Sequence, residues 1–256
     1  MTRPVEIKGL RIGEGMPKIC VPVMGEDLDA LCREAHKAKE AGADLVEWRV
    51  DFYKELTNVK ALEAALEALN GILEGIPLLF TIRTKKEGGN AELSIEDYVN
   101  LNLAAAGTGK ADLVDVEVFQ DKQAMSGLIK ALKKEKTAVI ASSHDFEKTD
   151  DKETLKKRFL EMDATGADIL KMAVMPQEFE DAAALMQATS EVAKDGTEKP
   201  LISMAMGSPG FMTRIAGENF GSSVTFACVD KSSAPGQFPI GELRIMMEAL
   251  HRKNQE

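Results

Sequence analysis

Short apolar stretches of strand length alternate with longer stretches of helical pattern from about residue 19 onward. This alternation is typical of α/β folds that contain a parallel sheet. Eight stretches have the length and apolar content of buried strands: 18–25, 44–50, 77–83, 112–118, 137–144, 168–174, 200–206 and 223–229.

The intervening stretches carry apolar residues at helical spacing and several end on glycine, which favours helices that stop just before the next strand. A Gly-Ala-Asp joint precedes a strand at 42–44 and again at 166–168. Eight strand and helix units predict one α/β domain over 1–256, a (β/α)8 TIM barrel, with an open doubly wound sheet as the alternative. The leading segment VEIKGLRIGEG predicts a short β-hairpin that closes the N-terminal end of the barrel.

The composition of the chain limits the classes of molecule that it is expected to bind. The net charge of −10 argues against a nucleic-acid surface, which would need a basic face. No apolar run has the length of a signal peptide or of a membrane span, so we expect a cytoplasmic protein with no membrane partner. The three cysteines are far apart and form no CxxC pair, which predicts neither a disulfide framework nor a metal site.

Charged residues interrupt strands that should be apolar on both faces. Glu47 and Arg49 lie two apart, so both point to one face, while Val46, Trp48 and Val50 point to the other. We expect the charged pair to face the barrel interior and the apolar residues to face the helices.

Three more ionisable residues lie near the strand ends at which barrel enzymes place their chemistry. Arg83 and His144 each end a predicted strand, and Lys171 lies inside one. The other two histidines, His36 and His251, lie in charged helical stretches and are expected at the surface. His144 is therefore the expected proton carrier at neutral pH.

Each of these residues also has a purely structural interpretation. Glu47 and Arg49 could form an ion pair as readily as they could contact a substrate. Arg83 could equally pair with Glu117 or Asp115 across the barrel.

Lys171 is harder to explain structurally because apolar neighbours surround it within its strand. A buried lysine near other cations loses its proton more readily, and the neutral amine can attack a carbonyl to form a Schiff base. Three arginines could supply such a positive field near Lys171: Arg49, Arg83 and Arg214.

Two glycine-rich loops follow the last two predicted strands, AMGSPGF at 205–211 and KSSAPGQF at 231–238. Such loops bind phosphate in many barrels, so they favour a phosphosugar ligand about as much as a simple chain turn. Arg214 follows the first loop, in the expected first turn of a helix, and suits a carboxylate or phosphate.

Taken together, these segments resemble the type I 3-dehydroquinate dehydratase family over essentially the whole chain. The strings that carry the resemblance are EWRVD (47–51), TIRTKKEGG (81–89), SHDF (143–146), KMAVMPQ (171–177), SMAMG (203–207) and SAPGQ (233–237). The set in this order is specific, whereas EWR or SAPGQ alone would be weak.

The resemblance implies a dehydration of 3-dehydroquinate to 3-dehydroshikimate in the shikimate pathway, without metal or cofactor. It implies that Lys171 forms an imine with the C3 ketone, that His144 removes the C2 proton and later protonates the leaving C1 hydroxyl, and that Glu87 orients the imidazole. It also implies a homodimer.

The resemblance implies substrate contacts as well. Arg214 would hold the carboxylate, and Ser233 and Gln237 would lie on a closing loop. Three residues would contact ring hydroxyls: Glu47, Arg49 and Arg83. Three would form an apolar wall: Met204, Met206 and Phe226.

The chain departs from the family pattern at several places. Ser143 replaces a common asparagine, Pro22 and Ala205 replace common serines, and FPI follows Gln237 where a more polar stretch is common. None of these changes removes a residue with a chemical role, although they could alter affinity or loop closure.

Two other functions stay open at this level. A class I aldolase or transaldolase also uses a lysine imine on a barrel, but His144 with Glu87 suits an elimination better. A binding protein on a decayed barrel would have lost Lys171 or His144, and both are present.

Overall fold

The computed structural model describes residues 2–256 and contains a hairpin and an eight-stranded sheet. Strands β1 (Val5–Ile7) and β2 (Leu10–Ile12) pair antiparallel. The sheet strands are β3 (Lys18–Val23), β4 (Leu45–Arg49), β5 (Leu78–Thr81), β6 (Leu113–Glu117), β7 (Ala138–His144), β8 (Ile169–Val174), β9 (Leu201–Ala205) and β10 (Val224–Phe226).

Nine α-helices lie within the described residues: α1 (Leu28–Glu40), α2 (Val59–Leu73), α3 (Ile95–Gly107), α4 (Lys122–Lys134), α5 (Lys152–Asp163), α6 (Phe179–Glu191), α7 (Phe211–Ile215), α8 (Gly217–Phe220) and α9 (Ile240–Asn254). Helices α1 to α5 each begin at a polar residue whose side chain accepts a backbone N–H of the first turn: Asp27, Asn58, Ser94, Asp121 and Asp151. These caps satisfy donors that helix starts leave free.

The eight sheet strands are parallel and follow the order β10-β3-β4-β5-β6-β7-β8-β9. The two edges, β9 and β10, approach where the Ser223 amide donates to the Leu201 carbonyl at 2.7 Å. The predicted TIM barrel is confirmed, and the doubly wound sheet is wrong.

The last predicted strand, 223–229, is the one that differs most from the structure, because β10 ends at Phe226. Beyond that point the Cys228 amide donates to the Phe238 carbonyl, and the Ile240 amide donates to the Cys228 carbonyl. The chain therefore pairs with its own returning loop rather than with the barrel.

The two Gly-Ala-Asp joints make the same contact. The Asp44 carboxylate accepts the Ile19 amide at 2.8 Å, and the Asp168 carboxylate accepts the Val139 amide at 3.0 Å. Each aspartate thus ties the start of its own strand to the start of the preceding one.

The barrel interior has an apolar floor. One buried cluster joins the hairpin with inward-facing side chains of all eight barrel strands and reaches the mouth at Ala173, Met204 and Phe226; its members at the floor are Ile7, Ile12, Cys20, Leu45, Leu79, Leu113, Ile140, Ile169, Ile202 and Val224. The predicted closure of the N-terminal end is therefore confirmed. Val46, Trp48 and Val50 belong to the other cluster, between sheet and helices, as expected.

Within residues 2–256 no helix is long and apolar enough to cross a bilayer. Cys20, Cys32 and Cys228 are free thiols.

Candidate active site

Polar side chains replace the apolar floor at the C-terminal half of the barrel. They surround a cavity at the mouth. All predicted site residues line this cavity except Glu87 and Arg214, which lie just behind it. Phe146, Ala173 and Ala234 line it as well and were not predicted.

Lys171 projects from β8 and is 3% exposed. Its Nζ lies 3.1 Å from Asp115 Oδ2, 3.3 Å from Glu47 Oε1 and 4.6 Å from the centre of the Phe226 ring. The direct charged contacts of this amine are therefore carboxylates, and Arg83, one of the three arginines expected to supply a positive field, is linked to it through the shared Asp115 oxygen.

Asp115 lies in the middle of β6 and is fully buried. Its Oδ2 also accepts from Arg83 Nη2 at 3.0 Å, and its Oδ1 accepts from the Ser142 hydroxyl. Burial alone would raise the pKa of this carboxyl, but the Arg83 and Lys171 cations and its hydrogen bonds lower the pKa to about 2. Asp115 is therefore a permanent negative charge beneath the cavity.

Arg83 makes both of the ion pairs considered from the sequence. Its Nη2 contacts Asp115, and its Nη1 lies 2.8 Å from Glu117 Oε1. Glu117 also accepts the Thr84 amide at 2.9 Å. Burial would lower the pKa of Arg83, but the surrounding carboxylates raise it further above its ordinary value. The guanidinium is thus held rigidly with one side toward the cavity.

His144 ends β7 and meets Glu87 through one carboxylate oxygen. Glu87 Oε2 accepts the His144 backbone N–H at 2.9 Å and lies 2.9 Å from His144 Nδ1. A carboxylate oxygen accepts hydrogen bonds and donates none, so we assign the proton of the neutral imidazole to Nδ1. The Nε2 lone pair is then free to take a proton from a ligand.

Burial and the positive charges of Arg83, Lys171 and Arg49 lower the pKa of His144 well below its usual value. Burial and the nearby Glu117 raise the pKa of Glu87. The imidazole is therefore neutral at pH 7, the form in which it is a base.

The loop that carries Glu87 is packed tightly. Glu87 ends a single 3-10 turn, and Gly88 follows with φ of +78°. A Cβ on Gly88 would lie 2.4 Å from the Phe146 ring, and one on Gly89 would lie 2.1 Å from the Arg83 carbonyl oxygen. The two glycines thus let Glu87 approach His144.

Arg49 pairs with Asp51 rather than with Glu47. Its Nε and Nη2 lie 2.8 and 2.9 Å from the two Asp51 oxygens. Glu47 instead accepts the Thr81 hydroxyl at 3.0 Å and contacts Lys171. The alternative of a Glu47–Arg49 ion pair is therefore wrong, and Asp51 orients Arg49 toward the cavity.

Arg214 is 1% exposed and lies near the end of the five-residue α7, not in the first turn. Its Nη2 donates to the Pro235 carbonyl at 2.9 Å, its Nη1 lies 3.9 Å from Met204 Sδ, and its Nε has no partner. No carboxylate of residues 2–256 pairs with it. Burial lowers its pKa to about 10. An uncompensated cation beside the cavity suits an anionic ligand.

The loop after β10 covers the cavity. Gln237 accepts the Ser233 amide and donates to the Ser233 hydroxyl, both at 2.9 Å. The Pro235 carbonyl accepts the Gly207 amide at 3.2 Å. The second glycine-rich loop therefore acts as a lid that rests on the first one.

The departures from the family pattern fall in two places. Ser143 and Ala205 face the helices, since their registry partners Met172 and Val174 do. Pro22 faces inward beside Glu47 but does not line the cavity. None of the three contacts the space open to a ligand.

The remaining candidates lie away from the cavity. His36 is exposed, as expected, but His251 is half-buried with Nδ1 2.8 Å from Glu218. In the part of the chain that the structure describes, no three histidine, cysteine or acidic side chains come together as a metal site would require.

The signal for the missed residues was present. Asp115 obeys the same rule that singled out Lys171, because it is an ionisable residue inside a buried strand. Phe146 lies within the SHDF string, but only its packing on Gly88 reveals its place at the cavity.

Comparisons with known proteins agree with this geometry. A family model described as type I 3-dehydroquinase matches residues 19–254. A 3-dehydroquinate dehydratase of Listeria innocua is 44% identical over 97% of this chain and 98% of its own length, and one of Bacillus licheniformis is 41% identical over 98% and 99%. A crystal structure of the Clostridium difficile type I 3-dehydroquinate dehydratase with covalently modified comenic acid superposes with a TM-score of 0.96 at 40% identity, covering 99% of this chain and all of that one.

Proposed function

The chain belongs to the type I 3-dehydroquinase family, and on that basis we propose how its own residues convert 3-dehydroquinate to 3-dehydroshikimate and water. It is a hydro-lyase of the shikimate pathway, and the Schiff-base mechanism is general to its family. The observation that carries the assignment of residues is Lys171, buried at the cavity next to the His144–Glu87 pair.

Substrate binding uses the charges of the mouth. Arg214 holds the carboxylate, which supplies the counter-charge that this guanidinium lacks in the protein. Ser233 and Gln237 close over the ligand and exclude water. Ring hydroxyls contact three residues: Glu47, Arg49 and Arg83. The apolar wall is formed by Met204, Met206 and Phe226.

Imine formation comes first. Lys171 Nζ, after giving its proton to His144, attacks the C3 carbonyl carbon, and a C–N bond forms. The carbonyl oxygen leaves as water, protonated by His144. The product is an iminium whose positive nitrogen attracts electrons.

Elimination follows. His144 Nε2 removes a C2 proton, and the C–H electrons move to the nitrogen to form an enamine. The enamine then expels the C1 hydroxyl, to which His144 returns the proton, so that water leaves and a C1–C2 double bond forms. Glu87 stabilises the imidazolium between the two transfers.

Hydrolysis completes the cycle. Water adds to the iminium carbon, the C–N bond breaks, and 3-dehydroshikimate leaves while Lys171 recovers its amine. Two water molecules are released and one is consumed, which gives the net loss of one water.

Borohydride trapping tests the central step. With 3-dehydroquinate present, reduction should leave a stable adduct on Lys171, located by peptide mass spectrometry. Lys171→Ala should lose the adduct and nearly all turnover, whereas Lys157→Ala, which changes an exposed lysine, should keep both. An unlabelled Lys171 in folded wild-type protein would overturn the assignment.

We further propose that the enzyme works in the cytoplasm as a homodimer, as the family resemblance implies. Sedimentation of the purified protein tests the second point: a species of 27.8 kDa at micromolar concentration would contradict it. No observation favours an aldolase or transaldolase.

A further inference from the structure

Asp115 is the one carboxylate that touches the lysine nitrogen without reaching the cavity. Its Oδ2 lies 3.1 Å from Lys171 Nζ, yet it is fully buried and absent from the cavity lining. Glu47 also contacts the nitrogen, but it lines the cavity and is available to the substrate. Both carboxylates therefore contact the lysine nitrogen, but only Glu47 can also contact the substrate.

The position of Asp115 is fixed by contacts that do not depend on the substrate. The Arg83 guanidinium binds the same Oδ2 at 3.0 Å, and the Ser142 hydroxyl binds Oδ1. Ser142 and Lys171 are registry partners on adjacent strands. The carboxylate thus keeps its place whether the nitrogen is an amine or an imine.

We propose that Asp115 serves as the fixed counter-ion of the Lys171 iminium. This inference rests on the proposed Schiff base at Lys171. A carboxylate at 3.1 Å stabilises the protonated imine and hence the electron sink of the elimination. Because Asp115 does not touch the substrate, it affects the chemical step and leaves binding unchanged.

Other groups also face this nitrogen. They are Cys20 on β3, Glu47 on β4, Arg83 after β5, His144 on β7 and the Phe226 ring on β10. The two cations, Arg83 and His144 when protonated, oppose a positive nitrogen. Asp115 lies between one of them and Lys171, so its removal exposes the nitrogen to that repulsion.

Asp115→Asn tests the charge with little change of shape. The variant should fold, because Arg83 retains Glu117 and Lys171 retains Glu47. We expect kcat to fall by about 100-fold with KM within about threefold of wild type. Without the carboxylate the iminium loses its proton more easily, so cyanoborohydride trapping on Lys171 should fail at a lower pH than in wild type.

Asp168→Asn is the matched control, because it makes the same chemical change at the start of β8, away from the cavity, where the carboxylate accepts the Val139 amide at 3.0 Å. Its kcat should stay within about threefold of wild type, and its trapping should fail at the same pH as in wild type. If Asp115→Asn does not fold, Ser142→Ala takes its place: it removes one hydrogen bond that fixes the carboxylate, so kcat and the pH limit of trapping should fall in the same direction but by less. A raised KM with unchanged kcat and pH limit in Ser142→Ala would overturn the proposal.

The outcomes separate the two proposals. If wild-type protein shows no adduct on Lys171, the proposed function fails. If wild type is trapped but folded Asp115→Asn keeps its kcat and its pH limit, only the counter-ion role fails. A raised KM with unchanged kcat would mean that Asp115 merely holds Arg83, which also overturns the role.

Discussion

At the scale of single residues, Arg214 is the most unusual group in the protein. Its guanidinium is buried, one nitrogen has no partner, and its two remaining contacts are a backbone carbonyl and a thioether. Burying a charge without a partner lowers the free energy of unfolding, so it destabilises the folded protein. The protein therefore carries a site that is unfavourable until an anion fills it.

Arg214→Met should reveal this cost. We expect the free energy of unfolding to rise by about 1–2 kcal/mol, because an apolar side chain replaces an unpaired buried cation. The KM for 3-dehydroquinate should rise by about 100-fold, because the carboxylate loses its partner. Denaturant unfolding and steady-state kinetics measure the two effects, and a less stable variant would contradict the expectation.

Single-residue roles were partly predictable. Lys171 and His144 stood out because ionisable residues are rare inside parallel strands. Glu87 was expected only through the family resemblance, and Asp115 was considered only as a partner of Arg83, because each reaches its partner from a distant part of the sequence. The carboxylates in contact with Lys171 were not predicted for the same reason: a sequence shows which charges exist but not which of them meet.

At the scale of elements, the loop after β5 places Glu87 through its glycines. Gly88→Ala would force φ of +78° on an alanine and press its methyl group into Phe146. We expect a loss of about 1–3 kcal/mol in the free energy of unfolding and a lower kcat, because Glu87 moves away from His144.

Gly71→Ala is the matched control. Gly71 lies inside α2, and its added methyl group meets nothing within 4 Å. The free energy of unfolding of this variant should rise by about 0.5–1 kcal/mol, and its activity should be unchanged. Thermal unfolding and kcat are measured for both variants. If Gly88→Ala matched Gly71→Ala in stability and kcat, the loop would tolerate displacement of Glu87 and the prediction would be wrong.

Strands and helices were predictable because each repeats a local pattern. The end of β10 was not, since Cys228 continues an apolar run yet pairs with the returning loop near Pro239. That choice depends on a contact ten residues away and not on local preference.

At the scale of the whole molecule, stability and chemistry occupy opposite ends of the barrel. The hairpin contributes Ile12, which is fully buried in the apolar floor, while the cavity lies at the other end. Ile12→Ala should cost about 2–5 kcal/mol and lower Tm by about 5–15 °C, because it leaves a void in the floor.

The same variant should keep kcat at temperatures where it stays folded. Ile245→Ala, at a position that is 68% exposed, makes the same chemical change and should shift the free energy of unfolding by less than about 0.5 kcal/mol. A loss of kcat in folded Ile12→Ala would show that floor and mouth are coupled.

The apolar floor also determines how ligands enter and leave the active site. The barrel interior opens only at its mouth, beneath the lid of Ser233 and Gln237. The same opening must therefore admit 3-dehydroquinate and the water that cleaves the imine, and release the product and the water of elimination. The product must leave before the next substrate molecule can enter, although water must pass while either of them is bound. The cavity therefore binds either substrate or product, but not both. Because the product has no separate exit, accumulated product competes with substrate for the cavity.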